Sequence, residues 1–527
     1  ALATLPDADR PERVVVLFDG QRDGWPENLL DELAGRLAVE LVVEPALGYD
    51  AAGATADSAL LADVLAKRLA ACGLSPEGTL LHTHNHSIGK GASLPGALGR
   101  LADAGWRMLL QVHDFAEDNR PENYAHLREA TGLDDPAALG AELYPQGPGV
   151  HYATLTLRDA AVLRAAGVPD ARLSPLPNPA TDPGEPLDRD AARARVLPAL
   201  GLSHDAHLFV YPVRGIRRKN VGEMLLLAAL APENTHFAVT LAPKNPIERG
   251  SFDRWRRLAE DLELPCRFDT GGPRSSGGYD CVFTDMVAAA DALVTTSIAE
   301  GFGMVFLEAW LAGRPLIGRD LPEITREFRD AGLSFDGLVE SVRVPRGVLL
   351  SPEWVEAERD EAANEARIAF GRDPEHTAPG DWETCDFAEL PVGAQAEVIE
   401  VACERRDELL AANPRLAAVL AEPPTGEVAA NAAAVRTAYS TDAIGQRLIA
   451  TLRSAWQAAP GPSAAFDGAA VLDHYLASER LLPVRLEAPE PEGTLTPSEA
   501  VLEPRSAAEG WAWYTPYDSV SRVADLQ

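Results

Sequence analysis

Cysteine is scarce in this chain of 527 residues, lysine is scarcer, and no apolar run approaches the length of a membrane span. The five cysteines, Cys72, Cys266, Cys281, Cys385 and Cys403, are odd in number and scattered, without C-x-x-C spacing. That excludes a disulfide framework and a thiolate metal site, and leaves reduced structural thiols. Runs such as MLLLAALA, 224–231, fall well short of the roughly 18–20 residues that a spanning helix needs. The first dozen residues are polar and carry prolines, unlike a secretory leader, so a soluble, cytoplasmic protein is expected, with no stable membrane insertion. Positive charge is in deficit too: 47 Lys and Arg stand against 80 Asp and Glu, a net charge of −33. Such a surface repels nucleic acid and anionic lipid, and neither is expected as a partner.

What is present suffices for packed cores. The hydrophobic fraction is 46%, and the length exceeds what one core can serve, so two or more domains are expected. β-rich runs at 13–18, 39–44, 79–84 and 107–114 alternate with helical stretches at 27–38, 57–72 and 91–104, and a strand and helix follow in HYATLTLRDAAVLRAAGV. This alternation implies parallel β-α-β units. A second series runs through 207–213, 235–242, 265–270, 292–297 and 314–319. The expected fold is α/β, two Rossmann-like domains facing across a cleft. Residues 1–180 form the first and 181–335 the second, 336–435 is an inserted, mostly helical subdomain, and 436–527 is a C-terminal helix and tail packing back on the body. The tail aromatics of EGWAWYTPYDSV, 509–520, are expected to pack on that body.

Two stretches carry chemistry. Only four of the basic residues are lysines, and one of them lies in RGIRRK, 214–219, where four cations fall within six residues. Either an anionic ligand is drawn there or the loop is neutralised by neighbouring acids. In SIAEGFGMVFLEAWLAG, 297–313, a buried strand gives way to a Gly-Phe-Gly turn and a helix. Glycines let a ligand approach the backbone, and free N–H groups at a helix start favour anions and hydroxyl oxygens. Glu308 is costly to bury among apolar neighbours unless it finds donors, and paired hydroxyls such as those of a ribose suit a carboxylate. A helix cap at Glu300 and an internal salt bridge at Glu308 are the alternatives.

The run EGFGMVFLEAWLAGRPLIGRDLPEI resembles the E-x7-E signature of the retaining glycosyltransferases of family four, which have the GT-B fold. LLHTHNH, LLQVHD, LPNPATD, YPVRGIRRKN and AYSTDAIGQRL agree with that family in type and order, and the likeness covers 75–325 and, more weakly, 436–456. It implies a hexose moved from a nucleotide-diphosphate sugar to a small hydroxylated acceptor, anionic acceptors included. Glu308 would hold the ribose, and Glu300 the transferred sugar, with the backbone N–H groups of Gly301, Phe302 and Gly303. Arg214 and Lys219 would clamp the diphosphate, and His113 would face the sugar from the first domain. No cofactor or metal is required, since the cations and helix start supply the same charge stabilisation.

Ligands of open α/β sheets collect at the carboxyl ends of strands, which places the acceptor on the loops 19–28, 84–92 and 114–124. Asn85, His86, Lys90, Asp114 and Arg120 are the acceptor residues expected there, alongside Asp19, Arg22 and Asn119; pairing of these cations with nearby acids is the alternative. His82, His84 and His86 alternate in HTHNH and would suit zinc if they shared one strand face, but the resemblance assigns them to an acceptor pocket. The rival functions are a disaccharide phosphorylase on the same scaffold and a non-catalytic sugar-nucleotide-binding protein.

Overall fold

Short β-branched runs flanked by helical segments form parallel strands. The computed structural model describes residues 2, 10–22, 29–184, 187–272, 278–375, 380, 382–457 and 465–486. In the first half, β1 (Val14–Phe18) and β2 (Val39–Val43) pair parallel as a two-stranded unit. Strands β3 (Leu80–His84), β4 (Arg107–Val112), β5 (Val150–Thr154) and β6 (Leu173–Pro175) form a four-stranded parallel sheet in chain order. Of the helix expected at 27–38, the described residues hold Leu29–Leu33, and 27 and 28 lie outside them. Two further helices, Pro121–Thr131 and Pro136–Leu143, each begin on a proline, whose fixed φ and missing N–H suit the first turn.

The second half holds β7 (His207–Arg214), β8 (Thr235–Leu241), β9 (Cys266–Arg267), β10 (Ala292–Thr295), β11 (Leu316–Arg319) and β12 (Leu338–Val339) in the order β12-β11-β10-β7-β8-β9, all parallel. The run read as a strand over 265–270 keeps only two residues of ladder. One face of this sheet is covered by Met224, Leu225, Leu227 and Trp255, the other by Phe306, Trp310 and Phe328. Chain order reverses between β7 and β10, and the loops leaving these neighbouring strands lie side by side there. That is the switch point where open α/β sheets form a crevice.

Residues 336–435 are not a self-contained subdomain. The ribbon β13 (Arg343–Pro345) and β14 (Thr384–Asp386) and the helix Val392–Glu404 bury Val344, Cys385, Val398 and Ile399 in the same core as the helix Val221–Leu230. Arg319 fastens the join, bonding Glu223 and Asp386 at 2.6 Å each. The helix Pro352–Ala369 joins the halves: Val355 sits in that core, whereas Ala366 and Phe370 enter the core of the first half, with the Phe370 ring 5.2 Å from Tyr124. The helix Thr441–Gln457 packs on β3, β4 and β5, and Gly468–Tyr475 packs on Pro136–Leu143, so the chain returns to the first half. The tail aromatics lie outside the described residues. Among those residues no helix is long and apolar enough to cross a membrane.

Candidate functional site

The switch point sets two loops side by side: Gly215–Asn220, leaving β7, and Thr296–Gly303, leaving β10. They are stitched together. The Tyr211 hydroxyl donates to Lys219 O (3.0 Å) and meets Ser297 Oγ (2.8 Å), Thr296 Oγ1 donates to Lys219 O (2.9 Å), and Ile298 N donates to Arg218 O (2.9 Å). Asn220, at φ 46°, turns the first loop into its helix; asparagine is among the few side chains at ease in the left-handed region.

This stitching brings charge together. Glu300, 8% exposed, accepts from Arg218 Nη1 at 2.6 Å and from the buried Lys219 ammonium. Burial alone would raise the Glu300 pKa, but Lys219 and Arg218 hold it well below the usual carboxylate range. Two cations thus flank one anion, and Arg218, with a third of its side chain exposed, faces outward. Arg214 is half-buried at the end of β7, with Nη1 3.5 Å from Ala242 O. Glu308 lies on the short helix Val305–Leu311, where every other residue is buried and Glu308 alone is half-buried. Gly303 has φ +86°, and a Cβ there would come within 2.7 Å of Phe306 and 3.0 Å of Ile324, so packing alone demands glycine. The Phe302 ring is buried 5.5 Å from that of Phe328.

The opposite wall is the carboxyl end of β3 and β4. A Cβ built on Gly301 would lie 3.9 Å from Asp114 Oδ1, so the two halves meet here. Asp114 accepts from Arg120 Nη2 (2.7 Å) and from Asn85 Nδ2 (3.3 Å), and Asn85 Oδ1 accepts from the amides of His113 and Asp114. Arg120 Nη1 also donates to the carbonyls of Phe115 and Asp118, so Asn85, Asp114 and Arg120 form one bonded set. His113 Nε2 meets His84 Nδ1 at 3.0 Å, and burial lowers the His113 pKa. The Lys90 ammonium lies 4.8 Å from the centre of the Tyr49 ring, its pKa lowered by burial and by Arg120.

His86, expected among the acceptor residues, is placed inside the first half. His86 is 3% exposed, bonds Leu143 O through Nε2 (3.1 Å) and lies near the Tyr144 and Tyr152 rings. The cause is Asn85, whose φ of 53° ends the strand alternation and turns the next side chain into the core. Of the three imidazoles of HTHNH, His82, bonded to Gln111, and His84, which meets His113, keep their rings 4.3 Å apart, whereas His86 is buried away from them. Among the described residues no group of three or more His, Cys, Asp or Glu is placed to hold a metal ion. Arg218 is a cleft residue that sequence reasoning missed. In RGIRRK nothing but the β10 loop distinguishes Arg218 from Arg217.

Two Rossmann-like halves, a cationic switch point in the cleft and a C-terminal helix returning to the first half make a GT-B architecture. No family model matches the chain. Over 262 residues, 48% of this chain and 49% of the relative, it is 26% identical to the mannosylglucosyl-3-phosphoglycerate synthase of Petrotoga mobilis; the chain spans about half the length of that relative. Among solved structures it is similar to HepE of Anabaena in complex with UDP and glucose (15% identity, 84% of this chain and 92% of that one, TM-score 0.45). A glycosyltransferase of Rickettsia africae aligns with 11% identity over 84% of this chain and 90% of that one, at a TM-score of 0.49.

Proposed function

We propose that this protein is a retaining, metal-independent glycosyltransferase that moves a hexose from a nucleoside-diphosphate sugar to a small phosphorylated acceptor. The observation that carries this reading is the switch-point cluster of Glu300 between Arg218 and Lys219, facing Asp114 across the cleft. Arg218, Lys219 and Arg214 offset the charge that grows on the departing diphosphate, a stabilisation exerted chiefly in the transition state. Glu308 takes the ribose hydroxyls. Glu300 and the amides of Gly301–Gly303 orient the sugar, and His113 closes on it from the first half. The leaving phosphate oxygen accepts the proton of the incoming hydroxyl on the same face of the sugar, so no side-chain nucleophile is needed. A phosphorylated acceptor is supported by the Petrotoga relative, whose name describes a product built on 3-phosphoglycerate.

The test is incubation of the chain with UDP-, GDP- and ADP-hexoses, with and without phosphorylated three-carbon acids, in chelator. Acceptor-dependent release of nucleoside diphosphate, with the product's anomeric configuration unchanged by NMR, is the expected result. Turnover only on a disaccharide with inorganic phosphate identifies a phosphorylase instead. Nucleotide binding without turnover identifies a binding protein, and strict dependence on a divalent ion overturns metal independence.

A further inference from the structure

We infer that the short C-terminal helix Pro483–Leu486 completes the acceptor side of the cleft, with Arg485 as a positioning residue for the loop 114–120. This deepens the reading above and rests on it for the identity of the acceptor. The helix touches both walls. On the donor side it packs against Arg217–Lys219, and Val484, 3% exposed, clusters with Ile298 and Ala388. Ile298 lies two residues before Glu300, so Val484 seats on the loop that carries the charged cluster. On the acceptor side, Arg485 Nη2 bonds Asp118 Oδ1 at 2.8 Å, and Asn119 Nδ2 donates to Arg485 O at 3.2 Å.

The loop held in this way reaches the cleft. Asp118 O accepts from Arg120 Nη1 (3.1 Å), Arg120 Nη2 bonds Asp114 Oδ1, and Asp114 is the residue that approaches Gly301. Only one bonded chain is needed from Arg485 to the cleft wall. Burial would raise the Asp118 pKa, yet Arg485, Arg120 and Arg158 hold it below the usual range, so the carboxylate stays charged and gripped. Asn119, at φ 54°, makes the turn in the left-handed region that asparagine tolerates. The helix is anchored in turn: Arg480 bonds Glu323 on the second half, and Arg367 bonds Ser478 Oγ at 3.2 Å. A segment far along the chain thereby couples the acceptor loop to the donor loop.

Arg485→Ala and Asp118→Asn, with Arg485→Lys as the conservative control, test this by two readouts. The first is amide hydrogen exchange of the unliganded 527-residue chain. Arg485→Ala and Asp118→Asn are each expected to speed exchange across 114–120 by about tenfold or more, the worth of a hydrogen bond to a charged group, and β7 should not change. The second is kinetics: the acceptor KM rises by a similar factor, donor Kd stays within about twofold, and Arg485→Lys recovers most of the loss. The double variant should add nothing to either single one, since both break the same contact. Unchanged exchange in 114–120, or a loss of donor affinity equal to that for acceptor, overturns the inference. If the wild-type chain transfers no sugar, the function proposed above falls alone, and the exchange experiment still decides the role of Arg485.

Discussion

Glu300 and Glu308 belong to one segment yet meet opposite surroundings, and their substitutions should separate accordingly. Glu300→Ala strips the partner from Lys219, whose side chain is 4% exposed, and is expected to cost about 3 kcal/mol, read by chemical denaturation. Glu308→Ala, at a half-buried position, is expected to abolish the rise in Tm that the preferred nucleotide gives the wild type. Unfolding caused by Glu308→Ala would place that carboxylate in an internal salt bridge. His86 makes a further prediction. Burial pushes its pKa down to about 4, below the ordinary value near 6.5. The folded protein thus binds fewer protons at His86 than the unfolded chain, and the stability this contributes is present above about pH 6.5 and is lost as pH falls toward 4. In His86→Gln the fall in stability over that window should be shallower by denaturant titration; an unchanged slope would remove His86 as the cause. The residue types at the site were legible, because RGIRRK and E-x7-E concentrate charge where little is expected. The turn at Asn85 was not: nothing in HTHNH announces the backbone angle that sends His86 inward.

The elements that build the site are those whose pattern was clearest. Strands β7 and β10 read as short apolar β-branched runs because both faces of their sheet are covered, and their adjacency alone makes the crevice. The helix Pro121–Thr131 escaped the sequence because its buried face is Tyr124, His126, Leu127 and Ala130, two of them polar enough to pass for surface. The hinge of the β10 loop is Gly303. Gly303→Ala must accommodate both a positive φ and the contact with Phe306, and is expected to destabilise by about 1–3 kcal/mol and to displace the start of the Glu308 helix. Denaturant unfolding together with a nucleotide titration checks this; a variant as stable and as tightly binding as the wild type would show that the loop can rearrange freely.

Over the whole molecule the two-half plan was legible from the alternation of strands and helices, whereas the place of 336–435 was not. Its acidic, interrupted composition suggested a separate unit, because the apolar positions that join the second core are dispersed among charges. The helix Pro352–Ala369 gives this stretch a structural role between the halves, and Phe370→Ala should cost about 3–5 kcal/mol and split a single calorimetric transition into two. A transition that stays single would locate the coupling elsewhere. The cation pair around Glu300 has a kinetic consequence as well. A nucleotide sugar carries negative charge, and it must approach a body of net charge −33 before it reaches two cations held a few ångströms from one carboxylate. At long range the encounter is repulsive, and only within the crevice does it turn attractive. Dissolved salt weakens the distant repulsion more than the close attraction, since its ions screen over about 10 Å at 0.1 M. Stopped-flow measurements should therefore find donor association quickening as salt is added from low concentration, the reverse of what a basic nucleotide-binding protein would show.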